Sequence, residues 1–185
     1  MEIDPWASKG IKNYDEICVK FGLEKIDHTT LPKPTHLHRR GIIFAHRDLD
    51  SILNARKAGK PFGVLSGLMP SGQMHLGHKM VIDQARWFQD LGGDVTIAVA
   101  DLEAHATRGL SLEKCRKYAV EEYISNYAGM GLNPDKTSIY FQSERPIVQK
   151  MGFTLGTKTN LSEMEAIYGF SGKTSLAHVQ SPLVQ

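Results

Sequence analysis

Three short apolar runs along the chain predict the strands of a parallel sheet. Phe62–Gly67, Val95–Ala100 and Thr137–Phe141 are each bounded by Gly, Pro or polar residues, which is typical of buried parallel strands. Longer segments with helical spacing separate the three runs. The order strand, helix, strand, helix, strand predicts an α/β protein that contains half of a dinucleotide-binding sheet.

The helices that flank these strands have recognisable faces and ends. Val81, Ala85 and Phe88 fall at helical spacing and predict the apolar face of the helix after the first strand. Ser111 is a favourable first residue for the helix that follows the second strand. Asn160 and Glu163 have the spacing of a capping box and predict a further helix near the end of the chain.

The first 45 residues are interpreted as an extension and strap that precede the N-terminal half of a Rossmann-like domain at 46–185. Tyr14, Ile17 and Phe21 predict a short helix within this extension. The segment 31–40 contains two prolines and clustered basic residues, which predicts a linker or an extended surface strap. A solvated connection is preferred here over a contact with RNA phosphates.

Composition and charge narrow the class of protein. The chain has 185 residues, 41% of them apolar, and a net charge of +2, which is unlike a disordered protein. The apolar runs are too short to cross a membrane and the N-terminus lacks a leader pattern. Cys18 and Cys115 stand far apart, so no disulfide framework or Cys-rich zinc site is expected, and the location is predicted to be cytoplasmic. A balance of 22 basic to 20 acidic residues argues against a dedicated nucleic-acid module but allows an enzyme that holds RNA.

The loop after the first strand carries the candidate chemistry. In an open parallel sheet this position faces the ligand crevice. Gly67 and Gly72 would let a ligand approach the backbone, and Gly77 would leave room for a flat ring against the helix. His75 and His78 are three residues apart, so we expect them to share one face at a helix N-terminus and to clamp a phosphate.

Other chemistry at this loop fits the residues less well. The spacing from Gly67 to Gly72 matches a P-loop, but Gln73 and Met74 follow where Lys and Ser or Thr are needed. A G-x-G-x-x-G fingerprint is absent from the sequence. Two histidines at this spacing, without a Cys or Glu partner, are a weak zinc signal, and no metal ligands are predicted. Two purely structural surface histidines are disfavoured because Pro, Ser and Gly accompany them at a strand-to-helix turn.

The residues His75-Leu76-Gly77-His78, preceded by Pro70-Ser71-Gly72, resemble the HIGH signature of class I aminoacyl-tRNA synthetases. Further segments resemble the tryptophanyl-tRNA synthetases of the archaeal type: Ile3–Trp6, Arg39–Phe44, His46–Asp50 and Ile139–Ser143. The similarity covers essentially the whole chain but only the N-terminal part of that family's length. Tyrosyl-tRNA synthetases share the loop and the strand end at Ala100-Asp101-Leu102, and the opening segment favours tryptophan.

The resemblance implies a fold, an activity and partners. The fold would be the first half of the class I synthetase Rossmann-like domain, with flanking helices. The activity would be ATP-dependent activation of L-tryptophan to tryptophanyl-adenylate, followed by transfer to tRNA(Trp), with Mg²⁺ accompanying the nucleotide. The intact enzyme would be a homodimer without membrane contact. The KMSKS loop and the anticodon-binding domain of the family are missing, so the isolated chain is expected to be inactive.

The resemblance also implies roles for particular residues. His75 and His78 would be catalytic. The ATP contacts would come from Gly67, Pro70, Ser71, Gly72, His75, Gly77 and His78. The amino-acid contacts would come from Leu65, Ser66, Gly67, Asp101, Glu103 and Gln185. Glu103 or Gln185 would bind the α-ammonium group, and the alternative for Asp101 and Glu103 is charge stabilisation at a helix N-terminus.

Some features leave alternatives open. Leu65 stands where some tryptophan enzymes have an aromatic residue, so recognition of the indole is not explained. Trp87, Tyr123 and Tyr127 are expected to be core or interface aromatics rather than ligand contacts. The alternatives to a tryptophan ligase are a tyrosyl-tRNA synthetase, a truncated non-catalytic relative that binds nucleotide or RNA, and a small nucleotidyltransferase that uses a similar His-x-Gly-His loop.

Overall fold

The computed structural model describes residues 14–184, so the segment Ile3–Trp6 and the proposed ligand Gln185 lie outside the described residues. The strands are β1 (Glu24–Lys25), β2 (Ala45–His46), β3 (Gly63–Leu68), β4 (Asp94–Val99) and β5 (Thr137–Phe141). The α-helices are α1 (Tyr14–Phe21), α2 (His36–Arg39), α3 (Leu49–Lys57), α4 (Leu76–Asp90), α5 (Asp101–Arg108), α6 (Leu112–Tyr118), α7 (Ser125–Gly129), α8 (Pro146–Gly156), α9 (Leu161–Tyr168) and α10 (Leu176–Gln180).

A three-stranded parallel sheet forms the centre of the fold. Its order is β3–β4–β5, and β4 pairs with both neighbours in parallel register. The helix α4 connects β3 to β4, and the helices α5 to α7 connect β4 to β5. The prediction of an α/β protein with a parallel sheet and flanking helices is therefore confirmed. A separate two-stranded antiparallel ribbon, β1–β2, belongs to the N-terminal part.

The main core lies between the central strand and the helices that cover it. Val95 and Ile97 of β4 are buried together with Ile82 and Ala85 of α4. The side chains of Tyr123, Tyr127 and Leu132 complete this cluster. The expectation that Tyr123 and Tyr127 are core aromatics is confirmed.

The strand β3 departs from the prediction of a buried strand. It pairs only with β4 among the described residues, and its side chains alternate between exposed and partly buried. Leu65 is 68% exposed. An edge strand covered on one face alternates in this way, whereas an apolar run alone does not distinguish it from a central strand.

The apolar face of α4 is also rotated from the predicted one. Ile82 and Ala85 face the sheet, while Val81 is 40% exposed. Trp87 is buried against a different cluster, which contains Leu31, Leu49 and Leu91. The helix therefore buries two faces. Of the three predicted positions, Ala85 lies on the face towards the sheet, Phe88 packs against the second cluster, and Val81 lies on neither.

The segment 31–40 is not a solvated connection, and this prediction was wrong. Leu31 and Leu37 are buried, and α2 forms within the segment. The indole Nε1 of Trp87 donates to the carbonyl oxygens of Pro32 (3.1 Å) and Lys33 (3.0 Å). The prolines and basic residues gave the segment a polar appearance, but its few apolar side chains point towards α4.

The remaining helices confirm the capping signals and add elements that the sequence analysis missed. Ser111 accepts a hydrogen bond from the amide of Lys114, and Asn160 and Glu163 form the expected capping box. The helix after Ser111 is interrupted by a π-helical turn at Ala119–Ile124. The helix α8 was not predicted, and α5 was expected only as the helix N-terminus considered for Asp101 and Glu103. Within residues 14–184, none of the helices has the length and apolar character to cross a membrane.

Candidate nucleotide and amino-acid site

The loop from β3 to α4 places the two signature histidines at the first turn of the helix. The chain leaves β3 at Leu68 and enters α4 at Leu76, with His75 as the residue that caps the helix. The Nδ1 atom of His75 accepts a hydrogen bond from the amide of Gly77 (3.1 Å). The Nδ1 atom of His78 accepts one from the amide of His75 (3.2 Å). The two histidines thus form a reciprocal capping box, in which imidazoles take the roles that Ser or Thr and Glu usually have.

This arrangement corrects one detail of the sequence interpretation. His75 lies before the helix rather than on its face, and its ring reaches His78 by folding back over the first turn. The ring centroids are 3.9 Å apart. Because each Nδ1 is used as an acceptor, each neutral ring carries its proton on Nε2. Both rings therefore have an Nε2–H donor that the helix cap leaves available.

Burial and proximity keep His78 neutral. Burial lowers the pKa of His78 below its ordinary value, and the neighbouring His75 lowers it further. Two imidazolium ions at this separation would repel each other. His78 therefore presents an uncharged ring at the N-terminus of α4, where the helix dipole favours an anion.

Gly77 is the second residue of α4 rather than a residue one turn further along. A Cβ atom at this position would lie 3.0 Å from Cε1 and 3.1 Å from Nδ1 of His75. The folded-back imidazole of His75 therefore leaves little room for a Cβ atom at this position. The expected contact of Gly77 with a flat ring stays a prediction.

The loop residues before His75 have their own internal support. Pro70 is buried, and the amide of Ser71 donates to the carbonyl oxygen of Met69 (2.8 Å). A Cβ atom at Gly72 would meet open space. At Gly67 a Cβ atom would lie 3.2 Å from the carbonyl oxygen of Ala98, so this glycine is explained by the close approach of β3 and β4.

A cavity of about 230 Å³ lies at the carboxyl ends of β3 and β4. Four of the predicted amino-acid contacts line it: Leu65, Ser66, Gly67 and Glu103. Ala100 also lines it, as expected for the end of the second strand, together with three residues that the sequence analysis did not assign to the site: Met69, Ala98 and Gln142. The strand-end position of Gln142, directly after β5, is the signal that could have found it, because ligand-binding residues collect at the carboxyl ends of parallel strands.

The carboxyl group of Glu103 is the acidic group of this cavity. Burial raises the pKa of Glu103, and attraction to Arg108 partly offsets that effect. A positively charged ligand group in the cavity would relieve the cost of burying the carboxylate. The geometry therefore fits an ammonium group beside Glu103.

Asp101 has a different environment from Glu103. It is buried, and Oδ1 accepts hydrogen bonds from the amides of Leu102 (3.0 Å) and Ser143 (3.1 Å). Its other oxygen accepts from the hydroxyl of Ser143. Asp101 is absent from the cavity lining and instead joins the first turn of α5 to the segment after β5. The helix-terminal alternative describes these contacts better than a direct contact with a ligand.

Gln142 connects the cavity to the end of the described chain. Its side chain is fully buried, and Nε2 donates to the carbonyl oxygen of Val184 (3.0 Å). The amide oxygen Oε1 has no hydrogen-bond partner among residues 14–184. Trp87, Tyr123 and Tyr127 are buried and do not line the cavity.

The geometry combines a parallel sheet, a strand-to-helix loop with a His-x-Gly-His cap, and a cavity beside it at the strand ends. The sequence profile described as tRNA synthetases class I (W and Y) matches residues 57–184, which include all of these parts. The chain therefore belongs to the class I tRNA synthetase family that comprises the tryptophan and tyrosine enzymes.

Two similar proteins are tryptophan–tRNA ligases of archaea. That of Methanosarcina acetivorans is 45% identical over 186 residues, and the match covers 100% of this chain and 42% of the relative. That of Thermoplasma acidophilum is 46% identical, with 99% of this chain and 42% of the relative covered. The chain thus spans less than half the length of these relatives.

Solved structures give the same result for the fold. The tryptophanyl-tRNA synthetase of Aeropyrum pernix superposes with a TM-score of 0.84 at 41% identity and covers 99% of this chain and 51% of its own. The enzyme of Plasmodium falciparum has a TM-score of 0.84 at 28% identity, with 92% and 50% covered.

Proposed function

We propose that this chain supplies part of the catalytic domain of a tryptophan–tRNA ligase. The observation that carries the proposal is the helix cap of His75 and His78, which uses Nδ1 of each ring and leaves Nε2 for a ligand. The cap follows β3, whose carboxyl end lines a cavity with the half-buried Glu103. In this activity the carboxylate of tryptophan attacks the α-phosphorus of ATP, pyrophosphate leaves, and the adenylate then esterifies tRNA(Trp).

The two imidazoles would stabilise negative charge on the phosphates as the adenylate forms. Both donors are fixed by backbone hydrogen bonds before ATP binds, so little reorganisation is needed when charge develops. The loop residues Pro70, Ser71 and Gly72, together with Gly67 and Gly77, would line the path of the nucleotide. Positioning and charge stabilisation are the main contributions that such a reaction requires.

The cavity at the strand ends would hold the amino acid. Glu103 would bind the α-ammonium group, and Leu65, Met69 and Ala98 would contact the side chain. Ser66 and Gly67 would form the floor on β3. Asp101 would contribute indirectly, by holding the first turn of α5 and therefore the carboxylate of Glu103 in place. Gln185 remains proposed as a second ligand of the amino acid.

Mg²⁺ would accompany ATP as part of the substrate. Residues 14–184 hold no group of three or more His, Cys, Asp or Glu side chains that could bind a metal ion. Mg²⁺ typically binds through substrate phosphates and water rather than a protein cage. The phosphate oxygens and water would supply the ligands of Mg²⁺. The two histidine donors would stabilise the negative charge that remains on the phosphates.

The remaining expectations concern the complete protein. Its partners would be L-tryptophan and tRNA(Trp), its quaternary structure a homodimer, and its location the cytoplasm. The similarity to tryptophan–tRNA ligases supports the first of these, and the other two rest on the family resemblance.

The test is amino-acid-dependent exchange of pyrophosphate into ATP by the complete gene product. We expect tryptophan to support exchange and tyrosine to support little, because a cavity shaped for a bicyclic ring leaves a phenol poorly packed and its hydroxyl unpaired. If tyrosine supports faster exchange than tryptophan at equal concentration, the protein is a tyrosine–tRNA ligase and the proposal of a tryptophan–tRNA ligase is wrong. No exchange with any amino acid, by a folded protein, would favour the non-catalytic relative.

A further inference from the structure

A buried tyrosine lies beneath the nucleotide loop and is not explained by core packing alone. Tyr123 belongs to the π-helical turn Ala119–Ile124 and is 2% exposed. Its ring packs edge-to-face on the imidazole of His78, with centroids 5.4 Å apart. π-helical turns inside α-helices occur frequently at functional sites, because they shift one side chain out of its ordinary register.

The hydroxyl of Tyr123 is in an unusual state for a buried polar group. It is inaccessible to solvent and has no hydrogen-bond partner among residues 14–184. Buried tyrosine hydroxyls usually find a partner, and an exception calls for a physical explanation. A phenylalanine would fill the same space without this unpaired group, so packing does not account for the tyrosine.

The group that faces this hydroxyl belongs to the loop. Burial raises the pKa of Tyr123, and hydrogen bonding from the backbone amides of Ser71 and Gly72 lowers it. Both amides are thus near the phenol oxygen, yet neither makes a hydrogen bond of normal geometry with it. The amide of Ser71 already donates to Met69. Among the described residues, no backbone carbonyl outside the helices and strands accepts from the amide of Gly72. The Gly72 amide and the phenol oxygen are therefore close together without a well-formed hydrogen bond between them.

We propose that Tyr123 is a positioning residue for the nucleotide loop, whose hydroxyl accepts a hydrogen bond from the Gly72 amide when ATP is bound. The inference rests on the proposed function and names a residue outside the family signature. A small displacement of the loop towards the core satisfies both groups at once. Because the same ring contacts His78, Tyr123 aligns the Pro70–Gly72 segment with the two imidazole donors.

The geometry gives the inference a distinct energetic signature. Without ATP, the hydroxyl of Tyr123 contributes only the cost of an unpaired buried group. Replacement of Tyr123 by Phe removes that cost, so the unliganded protein should be equally stable or more stable. With ATP, the same replacement removes one neutral hydrogen bond and therefore weakens binding of the nucleotide.

The experiment compares Tyr123→Phe with wild type in the complete gene product. We expect the KM for ATP in pyrophosphate exchange to rise about 3- to 10-fold, the range for one neutral hydrogen bond. The KM for the amino acid should stay within twofold, and the unfolding temperature without ATP should not fall. An unchanged KM for ATP would overturn the inference. A lower unfolding temperature together with that unchanged KM would show that the hydroxyl serves the fold.

Tyr127→Phe is the matched control. Tyr127 is equally buried, and its ring lies 6.4 Å from that of Tyr123, but its pKa is raised only by burial and by Tyr123, with no contribution from the loop amides. We expect this variant to leave the KM for ATP unchanged. A rise equal to that of Tyr123→Phe would show a general effect of the core and would contradict a specific role for Tyr123.

A nucleotide-bound crystal structure of the complete gene product gives a direct readout. The amide nitrogen of Gly72 should lie within about 3.2 Å of the Tyr123 hydroxyl oxygen. A separation beyond hydrogen-bond range with ATP in place would refute the inference. If wild type lacks exchange activity altogether, the proposed function fails, whereas active wild type with an unaffected Tyr123→Phe variant rejects only this inference.

Discussion

At the scale of single residues, His75 and His78 have an observed role as helix caps and a proposed role as phosphate donors, and substitution by alanine would remove both. Their Nδ1 atoms cap α4, and their Nε2–H groups remain for a ligand. Truncation of either side chain removes both roles at once, so a loss of activity would not separate chemistry from helix stability. The capping geometry suggests replacements that keep the helix cap and remove the imidazole.

His75→Asn and His78→Gln are such replacements, because Asn is a good helix cap and Gln fits the third helical position of a capping box. We expect each variant to slow pyrophosphate exchange by roughly 10²–10³-fold, the typical cost of one preorganised donor. The KM for tryptophan should change little, and the unfolding temperature should stay near that of wild type.

His36→Ala is the control for this pair, since His36 is exposed on α2. It should leave the exchange rate unchanged. If both cap-preserving variants lose less than about threefold in rate, the histidines serve the fold and not the phosphates.

At the scale of elements, the segment 31–40 is held to α4 by one buried histidine as well as by Trp87. His38 is 2% exposed, and its Nδ1 accepts a hydrogen bond from the amide of Thr35 (3.1 Å). Its ring lies 4.6 Å from that of Trp87. The hydrogen bond from Thr35 requires the neutral ring, because a proton on Nδ1 would remove the acceptor.

This attachment should depend on pH. Burial lowers the pKa of His38 below its ordinary value, and the side chain of Gln84 partly offsets this effect. As the pH falls through about 6.5, the unfolded chain takes up a proton that the folded chain does not. The stabilisation is therefore complete above this pH and is lost as the pH falls towards the folded pKa.

The check is thermal unfolding of wild type and His38→Gln at pH 7.5 and pH 5.5. The loss of unfolding temperature on acidification should be smaller in His38→Gln. His36→Gln, an exposed neighbour on the same helix, should behave like wild type. An equal loss in all three proteins would show that His38 does not couple this segment to pH.

At the scale of the whole molecule, the described chain leaves apolar surface uncovered. Ile147, Met151 and Leu155 recur every four residues along α8 and are all more than half exposed. The amino-acid cavity is open on the side of β3, where Leu65 is exposed. The relatives reported above are more than twice as long as this chain.

The 185-residue chain alone should therefore fail to form adenylate, although it keeps the histidine cap. One wall of the crevice positions ATP poorly and stabilises little of the transition state, because phosphoryl transfer needs charge on both sides of the phosphorus. Calorimetric titration with ATP should show weak binding, and pyrophosphate exchange should be absent. Turnover near that of a complete synthetase would show that the site described here is already whole.

The sequence alone determined the parts of this protein that depend on local chemistry. Periodicity located β4 and β5, and side-chain caps located the starts of the helices at Ser111 and Asn160, because these signals act within one or two turns. The residue types of the loop at 70–78 likewise identified the family before any contact was known. These features depend on residues that are close together in the sequence, so the sequence is sufficient to predict them.

Only the tertiary structure decided which side chains meet. It buried segment 31–40 beneath Trp87, turned Asp101 towards Ser143 instead of a ligand, and brought Gln142 to the cavity. It also folded the His75 ring over Gly77 and set Tyr123 beneath the loop. These contacts join residues from 2 to 55 positions apart in ways that depend on the packing of whole elements. Burial and pairing are decided by the completed fold, and no periodicity in the sequence encodes them.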